Sequence, residues 1–506
     1  MSALPIHSSS FRARRVLNWF PLGLAYAFLY MGRYNLTVAK NALGHLMTSA
    51  EFGQISAVGT VVYGLAFVIN GPLTDRVGGR RVMLIAVAGA LLMNVLMGCA
   101  LLGADVVDVA GGVHASGAGV HGQVLGVSVY VALMVLYALN MYFQSFGAVA
   151  IVTVKAPWFH VRERGSFSTI FGIMITAGIY FAFDWGYAVV QATRAQLDPD
   201  MGLIARGFAW VLGVGGQGVD ANWWIFFTPA VFLTVLFAVL LLFLRNTPKE
   251  AGYEDFDTGE ASVAAPGEVL STYDVFVRIL THPVLVVICA IEFCTGVLRN
   301  GTMQWYPIFA KETGIYGEFF VTRNWGLLLL GAGVIGAFLT GWASDRFFQS
   351  RRAPMAAFLY VVMGVAVVTM AATLDSSQWM VGGSVILISM SVIGVHGILS
   401  GTSTADFGGS RNTGTAVGLV DGLVYLGTAL QYLVIGQLAP TGAAARDPSQ
   451  WRFWPVFMLP FAVIGLLLSF RIWNALPSRR AVREASRPRE AQPAPTPAAA
   501  GGPGQG

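Results

Sequence analysis

Charge is what this 506-residue chain has least of: Asp, Glu, Lys and Arg make up 11% of it, against 55% hydrophobic residues. Water-soluble domains carry about 25% charged residues, so that class is excluded. Cysteine is nearly absent, and Cys99, Cys289 and Cys294 all fall inside apolar runs, which excludes a disulfide framework. No zinc-ligand spacing or nucleic-acid motif stands out, so the net charge of +5 does not point to nucleic acid. The chain also lacks a glycine-rich phosphate loop for ATP, and any energy it uses must come from gradients. The first 16 residues are polar and basic, but the apolar stretch behind them runs on beyond the roughly 7–15 residues of a signal-peptide core. An uncleaved first helix is therefore predicted.

What is present is a series of long apolar runs. A bilayer core needs about 20 apolar residues per helix, and such spans are predicted at 17–39, 54–74, 82–103, 125–150, 166–190, 222–244, 283–309, 323–344, 355–374, 379–401, 415–438 and 452–474. The fold class is thus an all-α polytopic membrane protein of twelve transmembrane helices, with the lipid bilayer as its first partner. Lys and Arg fall mostly on one side of this arrangement (Arg12 to Arg15, Arg76 to Arg81, Lys155 to Arg164, Arg245, Lys249, Arg278, Arg346 to Arg352, Arg411, Arg471 to Arg489), with few on the other. This positive-inside bias predicts cytoplasmic termini in an inner (plasma) membrane protein. Residues 1–244 read as one six-helix bundle, 245–282 as an acidic cytoplasmic connector and 283–476 as a second bundle; the Arg- and Pro-rich 477–506 tail is too polar to pack. Loops 104–124 and 191–221 carry no readable motif.

Two arginines interrupt the apolar runs. Arg33 and Arg299 occupy matching places in the two halves: Asp75 follows the first by 42 residues and Asp345 follows the second by 46. Such repetition marks two related bundles. A guanidinium near the membrane centre costs about 3 kcal/mol or more unless it has a partner or a task. Either these side chains snorkel to the interface or they hold an anion. Apolar residues continue on both sides of each, from Phe28 to Met31 and from Trp305 to Phe309, which argues for the second reading. Phosphate suits it, because a planar fork of donors can bind its oxygens in pairs.

The stretch Gly71-Pro-Leu-Thr-Asp75-Arg76-Val-Gly78-Gly79-Arg80-Arg81 and its echo Gly341…Asp345-Arg346 resemble the cytoplasmic-loop signature of the major facilitator superfamily. Within it the chain is similar to the organophosphate:phosphate antiporters. The likeness covers most of 17–474 and rests also on Arg33-Tyr34-Asn35, Tyr63-Gly64, Gln144, Glu163-Arg164-Gly165, Leu298-Arg299-Asn300-Gly301, Trp305-Tyr306-Pro307 and Tyr425-Leu426-Gly427. The resemblance implies a major facilitator fold of two pseudo-symmetric bundles, with no enzymatic chemistry, cofactor or metal. It implies exchange of a phosphorylated metabolite for inorganic phosphate, and the protein is expected to be monomeric. Substrate contacts are expected at Arg33, Arg299, Tyr34, Asn35, Tyr63, Gln144, Asn300, Trp305 and Tyr425, and gating at Gly71, Asp75, Arg76, Arg80, Gly341, Asp345 and Arg346. The motif is expected to form a tight turn that lets two helices approach, with its carboxylate and arginines pairing across the halves.

The departures from the family pattern are informative. Where the glycerol-phosphate member carries two lysines and a histidine, this chain aligns Tyr34, Phe67 and Ile175, which predicts a less basic, more aromatic cavity. Glu292 lies about two helical turns before Arg299, on the same face, either as a counter-ion or protonatable group or as a buried carboxylate bonded to a neighbouring helix. Asp421 is a further proton-coupling candidate or a partner for a cavity arginine. Asp184 is expected to be wetted and His396 to be packing. Proton-coupled uptake of an organic anion and hexose-phosphate sensing remain the alternatives.

Overall fold

The computed structural model describes residues 7–104, 119–160, 164–256, 277, 280–315, 319–348, 352–403 and 413–474. Most of the acidic connector and of loop 104–124, and the whole 477–506 tail, lie outside them. Among the described residues, eleven helices are long and apolar enough to cross a bilayer. The first predicted span falls in α1 (Ser9–Leu43), 35 residues long with Arg33 inside it and Lys40 in its last turn. The other eleven predicted spans each match one of those eleven helices, and α1 overruns its predicted bounds at both ends.

The first half continues with α2 (Ser49–Val77), α3 (Gly79–Leu102), α4 (Val129–Lys155) and α5 (Arg164–Tyr180). The last of these widens into a π turn at Phe181–Trp185 and runs on as α6 (Gly186–Ala192). Then come the short α7 (Leu203–Leu212), inside what sequence leaves as a featureless loop, and α8 (Trp224–Phe243). In the second half α9 (Pro283–Met303) and α10 (Trp305–Glu312) form one span, followed by α11 (Trp325–Phe348), α12 (Arg352–Thr373), α13 (Gln378–His396), a π segment at Gly397–Ser403, α14 (Thr413–Leu438) and α15 (Phe453–Arg471). Among the described residues the only strands are a hairpin pairing Gln123–Val124 with Val127–Ser128.

Local chemistry sets the helix ends that matter. A reciprocal cap starts α2: Thr48 Oγ1 accepts from the Glu51 amide at 3.2 Å and Glu51 Oε2 accepts from the Thr48 amide at 2.8 Å, a pairing that satisfies two orphan donors at once. The turn from α2 into α3 is made at Gly78, with φ of 90°, where any β-carbon would be strained. Gly71 and Gly341 are not turn residues. Both lie inside helices, with open space where a β-carbon would stand; the tight turn of the motif falls at Gly78.

The halves meet along two helix pairs, α2 with α14 and α5 with α11. Glycines let the first pair touch backbone to backbone: a β-carbon on Gly64 would sit 2.9 Å from the Gly422 carbonyl, and one on Gly53 would collide with the Tyr432 carbonyl.

Candidate functional site

Arg33 is 1% exposed at the centre of this interface. All three arms of its guanidinium donate: Nε to Gln144 Oε1 on α4 at 3.1 Å, Nη2 to Tyr63 Oη on α2 at 2.9 Å and Nη1 to Tyr425 Oη on α14 at 3.1 Å. Tyr425 comes from the second half, so this arginine spans the interface and does not snorkel. It also lies 4.5 Å from the Tyr30 ring centre and 4.4 Å from that of Tyr63, within cation–π range. Half-buried Arg299 faces the same group from α9, in electrostatic contact with Tyr34, Tyr30 and Tyr425. Among the described residues, neither arginine has a carboxylate within ion-pair distance. The surroundings are aromatic as predicted: Tyr63 and Tyr425 have ring centres 4.2 Å apart, and Phe67 packs 4.9 Å from Tyr63.

Behind Arg33 runs a buried amide chain that sequence reasoning missed, apart from its ends. Gln144 Nε2 donates to Asn140 Oδ1 at 3.1 Å, Asn94 Nδ2 donates to the same oxygen at 3.2 Å, and Asn35 Nδ2 donates to Asn94 Oδ1 at 2.7 Å. Asn140 also donates to the Gly32 carbonyl at 3.0 Å, and Tyr137 Oη donates to the Arg33 carbonyl at 2.9 Å. The signal was available, since Asn140 and Gln144 lie four residues apart inside an apolar span and so share a helix face.

Other expected contacts point elsewhere. Asn35 serves that chain. Asn300 donates to Thr428 Oγ1 at 2.9 Å, and Trp305, fully buried, donates to Gln431 Oε1 at 2.8 Å. Glu292 is no counter-ion to Arg299: its Oε2 lies 3.0 Å from His396 Nδ1, which makes His396 more than packing. Asp421 accepts a 2.5 Å hydrogen bond from Ser400 Oγ and, among the described residues, pairs with no arginine. The gating carboxylates Asp75 and Asp345 have side chains outside the described residues, while Arg76 and Arg346 are exposed. Arg80 stays in its own half, donating from Nη2 to the Leu241 carbonyl at 2.9 Å and from its amide to Asn246 Oδ1 at 2.8 Å.

Away from the basic ends of the helices, the two halves are latched together. Lys40 pairs with Glu312 at 2.9 Å, Asn41 Nδ2 donates to the Pro307 carbonyl at 3.2 Å, and Thr37 bonds Gln304. Asp184, expected to be wetted, instead caps α11 from across the interface, accepting from the Gly326 amide at 2.8 Å and the Leu327 amide at 3.0 Å. The first amides of a helix lack internal partners, and their dipole favours a carboxylate.

Two bundles of membrane-spanning helices, closed on a buried arginine site, define a polytopic helical transport protein and not an enzyme. The chain belongs to the Major Facilitator Superfamily, whose profile matches residues 22–432. It is 22% identical over 481 residues to a probable hexose phosphate transport protein of Chlamydia trachomatis, covering 91% of each chain. It is 22% identical to the glycerol-3-phosphate transporter of Bacillus subtilis, over 92% of this chain and 94% of that one, and 22% identical to the membrane sensor protein UhpC of Escherichia coli, over 90% and 92%. Its fold matches a bacterial homolog of the human lysosomal transporter Spinster in an inward-facing conformation, with a TM-score of 0.68 at 16% identity over 92% of this chain and 98% of that one. It also matches the inward-open xylose transporter XylE of E. coli, with a TM-score of 0.62 at 12% identity over 90% and 96%.

Proposed function

We propose that this protein exchanges a phosphorylated small metabolite for inorganic phosphate across a bacterial inner membrane by alternating access around Arg33 and Arg299. The observation that carries this reading is the absence of a carboxylate beside either guanidinium among the described residues, although Arg33 is only 1% exposed. Buried charges are ordinarily paired; here the polar neighbours are phenols and an amide, which orient the fork without neutralising it. A dianionic phosphate supplies the missing charge and can accept from both forks together. Because Tyr425 and Arg299 come from one half and Arg33 and Tyr63 from the other, the anion draws the halves together. The relatives support the substrate class: among them are proteins named as a probable hexose phosphate transport protein, a glycerol-3-phosphate transporter and a phosphoglycerate transporter.

Counterflow tests it. Proteoliposomes preloaded with unlabelled phosphate should take up labelled phosphate, and an excess of one sugar phosphate or glycerol phosphate outside should suppress that uptake. Uptake blocked by simple carboxylates and indifferent to organophosphates would refute the reading. The sensor among the relatives makes signalling the second reading; specific ligand binding without counterflow would favour it.

A further inference from the structure

Glu292 on α9 is 0% exposed, and among the described residues its Oε1 has no hydrogen-bond partner. Its one partner, His396, keeps 30% of its side chain accessible. A dry carboxylate therefore meets a partly accessible imidazole at 3.0 Å. His396 is also the last residue of α13, immediately before the helix widens into the π segment Gly397–Ser403. Three residues into that segment, Ser400 donates to Asp421 on α14. The irregular stretch is thus tied to α9 by one carboxylate and to α14 by another, and π segments are common at functional sites.

We propose that the Glu292–His396 pair is a proton-binding site that couples anion movement to a proton gradient. In the bound state one proton is shared between His396 Nδ1 and Glu292 Oε2. A shift of the π segment withdraws the imidazole, which strands a bare carboxylate in apolar surroundings, so the pair separates only as the protein changes state. The proton comes from water on one side of the membrane, reaches Glu292 through the accessible ring and leaves to water on the other side. No bond other than N–H or O–H is made or broken.

The charges around the pair allow this. On α9, Cys289, Cys294 and Arg299 flank Glu292; from α14 comes Asp421, and from α12 Tyr360. The Tyr360 hydroxyl is engaged with Thr295 Oγ1 and the Ile291 carbonyl, each at 2.8 Å. Among these, His396 is the one group whose ordinary titration falls near neutrality. Arg299 sits two helical turns from Glu292, so an anion on the arginine and a proton on the pair act on the same helix.

This inference rests on the anion-transport reading, and the experiment separates the two. Reconstituted protein is assayed for phosphate counterflow at equal pH and for uptake driven by an acid-outside gradient. Wild type should show both, with the gradient raising accumulation severalfold. Glu292→Gln, which mimics the protonated acid in shape, and His396→Gln should keep counterflow and lose the gradient response. Infrared titration of the reconstituted protein should show a carboxylic C=O band that Glu292→Gln removes, a readout that needs no substrate. If counterflow fails while that band is present, the anion reading falls and the proton site stands. A wild type that exchanges phosphate but ignores the gradient overturns the proton site, as does a gradient response that survives both substitutions.

Discussion

Asp184 offers the most direct measure of what holds the two halves together. Its carboxylate accepts two backbone hydrogen bonds, at 2.8 and 3.0 Å, from the first turn of a helix in the other half. A hydrogen bond to a charged group contributes about 1.5–3 kcal/mol. The Leu327 amide lies at an exposed position and water can replace its bond on opening, so only the Gly326 bond counts in full. That leaves about 2 kcal/mol favouring closure, a shift of about 30-fold when Asp184→Ala removes it. A population closed 99:1 would fall to about 3:1, whereas Asp184→Asn, which keeps one acceptor, should move it only about fivefold. Spin labels at Leu203 and Phe320, 79% and 55% exposed and on opposite halves, would report this by double electron–electron resonance in a cysteine-free background. A second, longer distance should grow in the order wild type, Asn, Ala. A distribution that stays single in folded Asp184→Ala protein would refute the latch.

Arg33→Lys and Arg299→Lys should each leave the protein inserted yet abolish most phosphate exchange, because a point donor cannot reproduce the planar fork; normal counterflow in both would exclude the clamp. Asn140→Leu removes the hub of the amide chain behind Arg33 and should lower stability by about 2 kcal/mol and weaken phosphate binding, read as thermal unfolding and as phosphate protection from it; binding unaffected by the change would show that the chain does not position Arg33. Gly64→Leu should arrest exchange while leaving detergent-solubilised protein monodisperse, since the side chain would enter the Gly422 backbone; unimpaired turnover would mean the α2–α14 contact is not part of the cycle. Cysteine tags at Ser2 and Gly119 should react oppositely with an impermeant reagent if the positive-inside reading holds, and equal labelling would exclude it.

How much was legible in the sequence depended on the range of the interaction. The helices were readable because a bilayer demands apolar runs of a set length, and the paired arginines because charge in such a run is conspicuous. The aromatic surroundings of Arg33 followed from Tyr34 and Phe67 standing where a relative has basic residues. Pairings were not readable. Glu292 to His396 spans 104 residues and Lys40 to Glu312 spans 272, distances over which no local pattern chooses a partner. Asp184 looked wetted because its partners are backbone amides, which have no side-chain signature at all.

The same reasoning explains why the two arginines are not equivalent despite the repeat. Arg33 has a fixed fork, with three directed bonds and an amide chain at its back. Arg299 has the phenols in front of it, and two turns behind it on its own helix a carboxylate that has taken a histidine partner. One half thus presents a donor held by three directed bonds, and the other a half-buried arginine two turns from the Glu292–His396 pair. On the proposed reading, the first fixes where an anion sits and the second meets it from the other half. Symmetric sequence therefore supports an asymmetric site, and the asymmetry lies in the partners each guanidinium has found.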